Sequence, residues 1–203
     1  MSPSSTQRDR WRRYWDRHSR TYDRQMGFMD RVLFRDTRGW VCGQATGEVL
    51  EVAIGTGLNL THYPAGVVLT GIELSPAMLE IAHRRADELG RGIDLRLGDA
   101  EALEFLDASF DTVVCTFSLC AIPDHERALA EMIRLLGDAG MCRVKVVEVV
   151  APGAALGVAR AVVPRRRIDV VPGAGKTTGH EVCSRSFDRR SSARRSLRSD
   201  SRP

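Results

Sequence analysis

Glu51-Val52-Ala53-Ile54-Gly55-Thr56-Gly57 reads as the end of a buried strand running into a glycine turn. Glycine lacks a Cβ, so such a turn lets backbone approach a ligand closely, and an acid at the strand's end can hold a cationic or hydroxyl-bearing group. About twenty residues further on, the apolar run Val67–Glu73 also ends in an acid, at the distance where a carboxylate meets the hydroxyls of a ribose. A third polar point, Gly98-Asp99-Ala100, follows the next short apolar run and suits the amino group of an adenine. In an open α/β sheet all three points fall at the carboxyl ends of neighbouring strands, where such sheets bind ligands.

The surrounding text supports that sheet. Gly47–Ala53, Val67–Glu73, Phe110–Thr116 and Met141–Val149 are rich in Val, Ile and Leu, as strands covered on both faces should be, and Ile93–Leu97 is a weaker fifth. Ser75-Pro76 places a capping hydroxyl before a proline at the first helical position, predicting a helix that stops at Gly90. Asp124 similarly precedes a helix expected to end at Gly137. Alternating strands and helices predict an α/β fold with an open, doubly wound, mostly parallel Rossmann-like sheet over 41–150. Residues 1–40 read as a helical cap, with Trp11, Tyr14, Trp15, His18 and Tyr22 along one face of an arginine-rich helix. Residues 151–203 read as an atypical basic tail without a convincing pair of strands, largely disordered from about 180 onward.

The 203 residues carry a formal charge of +4, and a sequence pI near 9.0 would ordinarily invite an anionic partner. That average hides three unlike segments, with net charges of +5 over 1–40, −9 over 41–150 and +8 over 151–203. The acidic core argues against a nucleic-acid partner. No run of about 18 uncharged apolar residues and no apolar leader is visible, so a spanning or secreted protein is not expected. The five cysteines form no CxxC pair and no Cys/His group at zinc spacing, which leaves reduced thiols in a cytoplasm and no metal as the reading.

These residues resemble the class I S-adenosylmethionine-dependent methyltransferases, over about residues 10–150. In that family a glycine motif follows the first strand, an acidic ribose ligand ends the second, a Gly-Asp-Ala type loop meets the adenine, and a glycine turn precedes the fifth strand, here Leu136–Gly140. Gly55–Pro64 with Val113–Asp124 is similar to the branch of thiol methyltransferases and phosphatidylethanolamine N-methyltransferases, with ubiquinone/menaquinone-type enzymes as relatives. The resemblance implies S-adenosyl-L-methionine as cofactor. It assigns Glu51, Gly55, Thr56 and Gly57 to the methionine end with Ala53 in the same turn, Glu73 to the ribose, and Asp99 and Ala100 to the adenine, whose face Met78 covers, and counts the adjoining Leu74 among the cofactor-binding residues. Thr116, counted with the cofactor-binding residues, lines the path to the acceptor together with Phe117 and Ser118, and Tyr22 closes the pocket. The implied acceptor is a small molecule or a lipid, and the aromatic, arginine-rich helix is compatible with peripheral membrane contact. Catalytic residues and oligomeric state stay open.

The chain departs from the family pattern in places. Ala53 stands for the first glycine, a small-for-small change tolerated unless the backbone there needs φ > 0. Asp138-Ala139 replaces Pro-Gly before the fifth strand, and the Arg/Ser/Pro-rich text after Val150 looks like sequence read in another frame, so a truncated or frameshifted homologue with weak or no activity is the alternative. A dinucleotide fingerprint fails because Leu58 and Leu60 stand where its last glycine belongs, and Pro172–Thr177 imitates a phosphate loop without the first glycine. His125, His62 and Tyr63 are expected to be solvated, and Cys115 and Cys120 to be small buried apolar residues.

Overall fold

The computed structural model describes residues 5–34, 36–136, 143–150, 157–164 and 169–172. Helix α1, Ser5–Met29, leads through a π-helical turn, Asp30–Phe34, into α2, Thr37–Cys42. Strands β1, Glu48–Val52, and β2, Val68–Glu73, are followed by α3, Pro76–Glu88, and β3, Asp94–Leu97. Then come β4, Thr112–Thr116, α4, His125–Arg134, and β5, Arg143–Val150. Two further strands, β6, Gly157–Pro164, and β7, Asp169–Pro172, complete one sheet in the order β3-β2-β1-β4-β5-β6-β7.

The first five strands are parallel, as expected, and their bounds lie within a few residues of the apolar runs. β6 runs antiparallel beside β5 after six residues, and β7 antiparallel beside β6. The turn at Gly137–Gly140 and the segment from Gly173 onward lie outside the described residues.

Period-two alternation along β1 and β4 builds two cores. Leu50, Val52, Val113 and Cys115 face α4, packing with Met132, Leu135 and Leu136, all fully buried. Val49 and Val114 face the other way, toward Val41 and Cys42 of α2 and Leu79 and Ala82 of α3. The helix starts behave as their sequence predicts. Ser75 Oγ accepts from Met78 N–H at 3.2 Å at the head of α3, and Asp124 Oδ1 accepts from Arg127 N–H at 3.0 Å at the head of α4.

Helix α1 lies across the carboxyl edge of the sheet, held mostly by its acids, with Arg8 adding one pair to Asp99. Asp9, Asp16, Asp23 and Asp30 recur every seventh residue, two helical turns apart, so they form one stripe. Asp16 Oδ1 accepts from Ser75 Oγ at 2.5 Å and from Ala77 N–H at 3.3 Å, doubling the cap of α3. Asp23 accepts from Thr56 Oγ1 at 2.5 Å and pairs with Arg85 Nη2 at 2.7 Å, and Asp30 pairs with Arg38 at 3.1 Å. Asp16→Ala is expected to cost about 1–2 kcal/mol of stability, with hydrogen-exchange protection falling most in α1; an unchanged exchange pattern there would show that the stripe does not hold the helix.

Candidate functional site

A cleft opens at the carboxyl ends of β1, β2 and β4, beneath α1, and encloses about 660 Å³, part of it open to solvent. Tyr22, Ala53, Gly55, Glu73, Leu74, Met78, Asp99 and Ala100, all expected at the site, line it. Trp15, Ile72, Gly98, Phe117, Ser118 and the segment Ala121–Pro123 complete its wall. Glu51, Thr56, Gly57 and Thr116 stand behind that wall rather than on it.

Glu73, last residue of β2, is 5% exposed and presents both oxygens to backbone donors: Gly55 N–H at 2.9 Å and Ser75 N–H at 2.9 Å. Burial pushes its pKa above the usual carboxylate range, and these amides counter part of that push. Gly55 and Gly57 both adopt positive φ, and a Cβ on Gly57 would sit 2.9 Å from Leu60 Cδ1 and 3.4 Å from the α3 backbone at Ala82. Those positions therefore need glycine.

Ala53 has φ 56°, the left-handed conformation under which the exchange of glycine for alanine is not a free one. Phe117, after the neighbouring strand β4, has φ 54°, so two strained non-glycine residues face the same cleft. Ser118 Oγ lies between their strands, donating to Thr116 O at 2.7 Å and reaching Ala53 O at 3.5 Å.

Glu51 alternates onto the face opposite Leu50 and is 2% exposed. It accepts from Asn59 Nδ2 at 2.7 Å and from Tyr63 OH at 2.9 Å, while Asn59 Nδ2 also reaches Thr116 Oγ1 at 2.8 Å. Thr56, fully buried, donates to Asp23 and accepts at its carbonyl from Arg85 Nη1 at 2.5 Å. Tyr63 thus corrects the expectation of a solvated residue: at 5% exposure its hydroxyl is a structural donor. His62 and His125 are exposed, and Cys115 is buried, as expected, whereas Cys120 is exposed because a 3₁₀ turn, Leu119–Ala121, carries it outward. Asn59, Tyr63 and Arg38 are polar partners that the sequence reading passed over, since nothing in their local spacing marks them. The seven-residue recurrence of aspartate was a readable signal for the docking of α1.

Over the cleft, Trp15 and Tyr22 of α1 meet edge to face at 6.0 Å, and burial pushes the Tyr22 phenol up to about 12, so it stays protonated at neutral pH. Arg8 Nη1 pairs with Asp99 Oδ2 at 3.2 Å at the far end. A second, open groove lies between α1 and the segment after β4, lined by Arg10, Trp11, Tyr14 and Arg17, and it shares Trp15, Phe117 and Ala121 with the cleft.

Residues 50–144 match the methyltransferase-domain family. The chain is 39% identical over 121 residues to a phosphatidylethanolamine N-methyltransferase of Cereibacter sphaeroides, covering 59% of each protein. It is 40% identical over 111 residues to a demethylmenaquinone methyltransferase of Renibacterium salmoninarum, covering 54% of this chain and 44% of that one. Among solved structures, an S-adenosylmethionine-dependent methyltransferase from Thermotoga maritima superposes with a TM-score of 0.53 at 28% identity, covering 66% of this chain and 60% of that chain. The chain therefore spans about half the length of the curated relatives it matches.

Two outcomes follow from the wall and the network behind it. Ala53→Gly is expected to raise stability by roughly 0.5–1 kcal/mol in urea unfolding, because relief of the left-handed strain exceeds the added unfolded-state entropy; a loss of stability would show that φ 56° carries no strain. Burial raises the Glu51 pKa from 4.5 to about 7, against the pull of its Tyr63 and Asn59 hydrogen bonds. A carboxyl whose pKa is raised by folding binds its proton more tightly in the native state, so stability is highest below the unfolded pKa and falls as pH rises through about 7. That fall is expected to reach up to about 3 kcal/mol, and Glu51→Gln should remove most of it when midpoints at about pH 5 and about pH 8 are compared.

Proposed function

We propose that the protein transfers a methyl group from S-adenosylmethionine to a small-molecule acceptor with an apolar, aromatic or lipid-like body. The observation that carries this reading is the cleft itself, with a buried acid at the end of β2 and a positive-φ glycine turn at the end of β1. The residues fit the cofactor. Each Glu73 oxygen accepts one backbone N–H, which leaves lone pairs for the two ribose hydroxyls. Leu74, Met78, Ala100, Ile122 and Pro123 give an apolar slot for a flat base, at whose mouth Asp99 exchanges Arg8 for the adenine amino group. Gly55, Ala53 and Phe117 flank the methionyl end, and α1 forms the cap with Trp15 and Tyr22.

When bound, the cofactor supplies an electrophilic methyl on a sulfonium, so the chain's own work is alignment and exclusion of water. Tyr22, Glu73 and Asp99 are the ionisable groups on the wall, and none suits a general base for the acceptor: Tyr22 keeps its proton, Glu73 is held by two amides and Asp99 lies at the adenine end. An acceptor that is already nucleophilic at working pH fits such a wall. Acceptor entry is by the groove that shares Trp15, Phe117 and Ala121 with the cleft, where aromatic rings and the Arg10 and Arg17 guanidiniums suit an amphiphile that carries an anionic group. Relatives named for a phospholipid and for a menaquinone precursor support that choice. The same aromatic and arginine face suits contact with an anionic membrane surface; no helix of the described residues is long and apolar enough to cross one.

Titration calorimetry with S-adenosylhomocysteine tests the reading. Micromolar binding by the wild type, weakened on the order of a hundredfold or more in Glu73→Ala through loss of two hydrogen bonds to a charged group, is expected. A folded wild-type protein that gives no heat with either S-adenosylmethionine or S-adenosylhomocysteine would overturn it.

A further inference from the structure

Opposite its acid stripe, α1 carries a row of arginines that the cleft does not use. Arg10, Arg13, Arg17, Arg20 and Arg24 recur at alternating steps of three and four, which keeps them on one helix face, and Arg31 follows on the π-helical turn. All six are exposed. Arg17 Nε donates back to the Arg13 carbonyl at 3.0 Å, and among the described residues no carboxylate pairs with any of the six. Like charges three and four positions apart repel, and no acid is interleaved on this face to relieve them. An anionic surface laid along the row would do so.

Two apolar side chains in the same row say what kind of surface. Phe28, four residues past Arg24, is 65% exposed, and Val32, four past Phe28, is 56% exposed. With Arg20, Arg24 and Arg31 beside them they form a patch that lines neither the cleft nor the outer groove, so the acceptor does not account for it. A nucleic-acid backbone would satisfy the arginines and gain nothing from a valine. A lipid surface satisfies both, since headgroup phosphates take the guanidiniums while the apolar tips reach the acyl boundary. The 25 residues of α1 span about 37 Å, so a helix lying flat brings the whole row to one plane.

We propose that the outward face of α1 docks on a bilayer containing anionic phospholipid, with Phe28 and Val32 inserted and the arginine row paired to headgroup phosphates. In this pose the mouth of the outer groove, where Arg10 and Arg17 stand, turns toward the lipid. Delivery of an acceptor by that route rests on the reading of the groove as its entry, whereas the docking itself does not depend on what the cleft binds.

Flotation of the full chain with vesicles of phosphatidylcholine, alone or mixed with an equal part of phosphatidylglycerol, tests the docking. The wild type should partition onto the mixed vesicles and stay free of the neutral ones. Arg20→Gln/Arg24→Gln/Arg31→Gln should weaken that partition on the order of a hundredfold, at roughly fivefold per guanidinium, and Phe28→Ser/Val32→Ser on the order of tenfold. All five side chains are exposed, so both variants are expected to keep the wild-type urea midpoint. The proposal is overturned if the wild type ignores the mixed vesicles or binds both kinds equally. It is also overturned if the triple variant binds as the wild type does, as it would if the basic segment after residue 150 carried the attraction. A Phe28/Val32 variant that binds undiminished overturns insertion and leaves a surface for polyanions in general, which retention of a double-stranded oligonucleotide would identify. Calorimetry with S-adenosylhomocysteine on the same samples keeps the two readings apart: heat without vesicle binding sinks the docking alone, and vesicle binding without heat sinks the cofactor reading alone.

Discussion

The Glu73 carboxylate holds two turns at once, and the rest of the site is arranged around that double contact. Its two oxygens accept from Gly55 N–H, in the turn after β1, and from Ser75 N–H, at the cap of α3. An acid at 5% exposure without donors would be driven to its neutral form. The two amides counter part of that push, and each fixes a loop. The glycine turn is thereby locked to β2 rather than to its own strand alone, and the floor of the cleft is formed before any ligand arrives, which lowers what binding must spend on ordering.

Over that floor, α1 obeys a charge logic that its net composition conceals. The cap segment carries +5 and the core −9, so the two attract at long range. The close contacts mostly run in the opposite sense: Asp23 meets Arg85 and Asp30 meets Arg38, while Asp16 caps α3. Arginines of the helix such as Arg13, Arg17 and Arg20 stay exposed. The acid stripe sets where the helix sits, and the arginine face is left available to a partner or an acceptor.

Much of this was legible beforehand. The strands announce themselves because buried parallel strands need unbroken apolar runs, and Ser75-Pro76 and Asp124 announce helix starts because caps act within three residues. Glu73, Asp99 and the glycine turn were visible through their spacing at the ends of successive apolar runs. Contacts that cross the fold were not. Glu51 reads as a ligand group at a strand end, yet strand alternation sends it toward Asn59 and Tyr63, and the Asn59 bond to Thr116 joins residues 57 positions apart. Arg38 carries no local signal, since its partners lie in three other segments.

Ala53 and Phe117 sharpen what the fold is asked to do. The register pairs Val52 with Cys115, so the two left-handed residues leave the ends of neighbouring strands at nearly the same level. Each costs on the order of 1–2 kcal/mol relative to a right-handed conformation, and neither is a glycine that would adopt it freely. Such torsions persist only where the surroundings over-determine them. Here Gly55 is fixed by Glu73 and Ser118 bonds back to Thr116, close to the Ala53 carbonyl, so both chains are obliged to turn away from the strand direction together. Beyond that pair Phe117 stands between the cleft and the outer groove and forms part of both walls. The residue held in strain at that junction also carries the Arg38 guanidinium 4.8 Å over its ring, a contact that adds to what fixes it there.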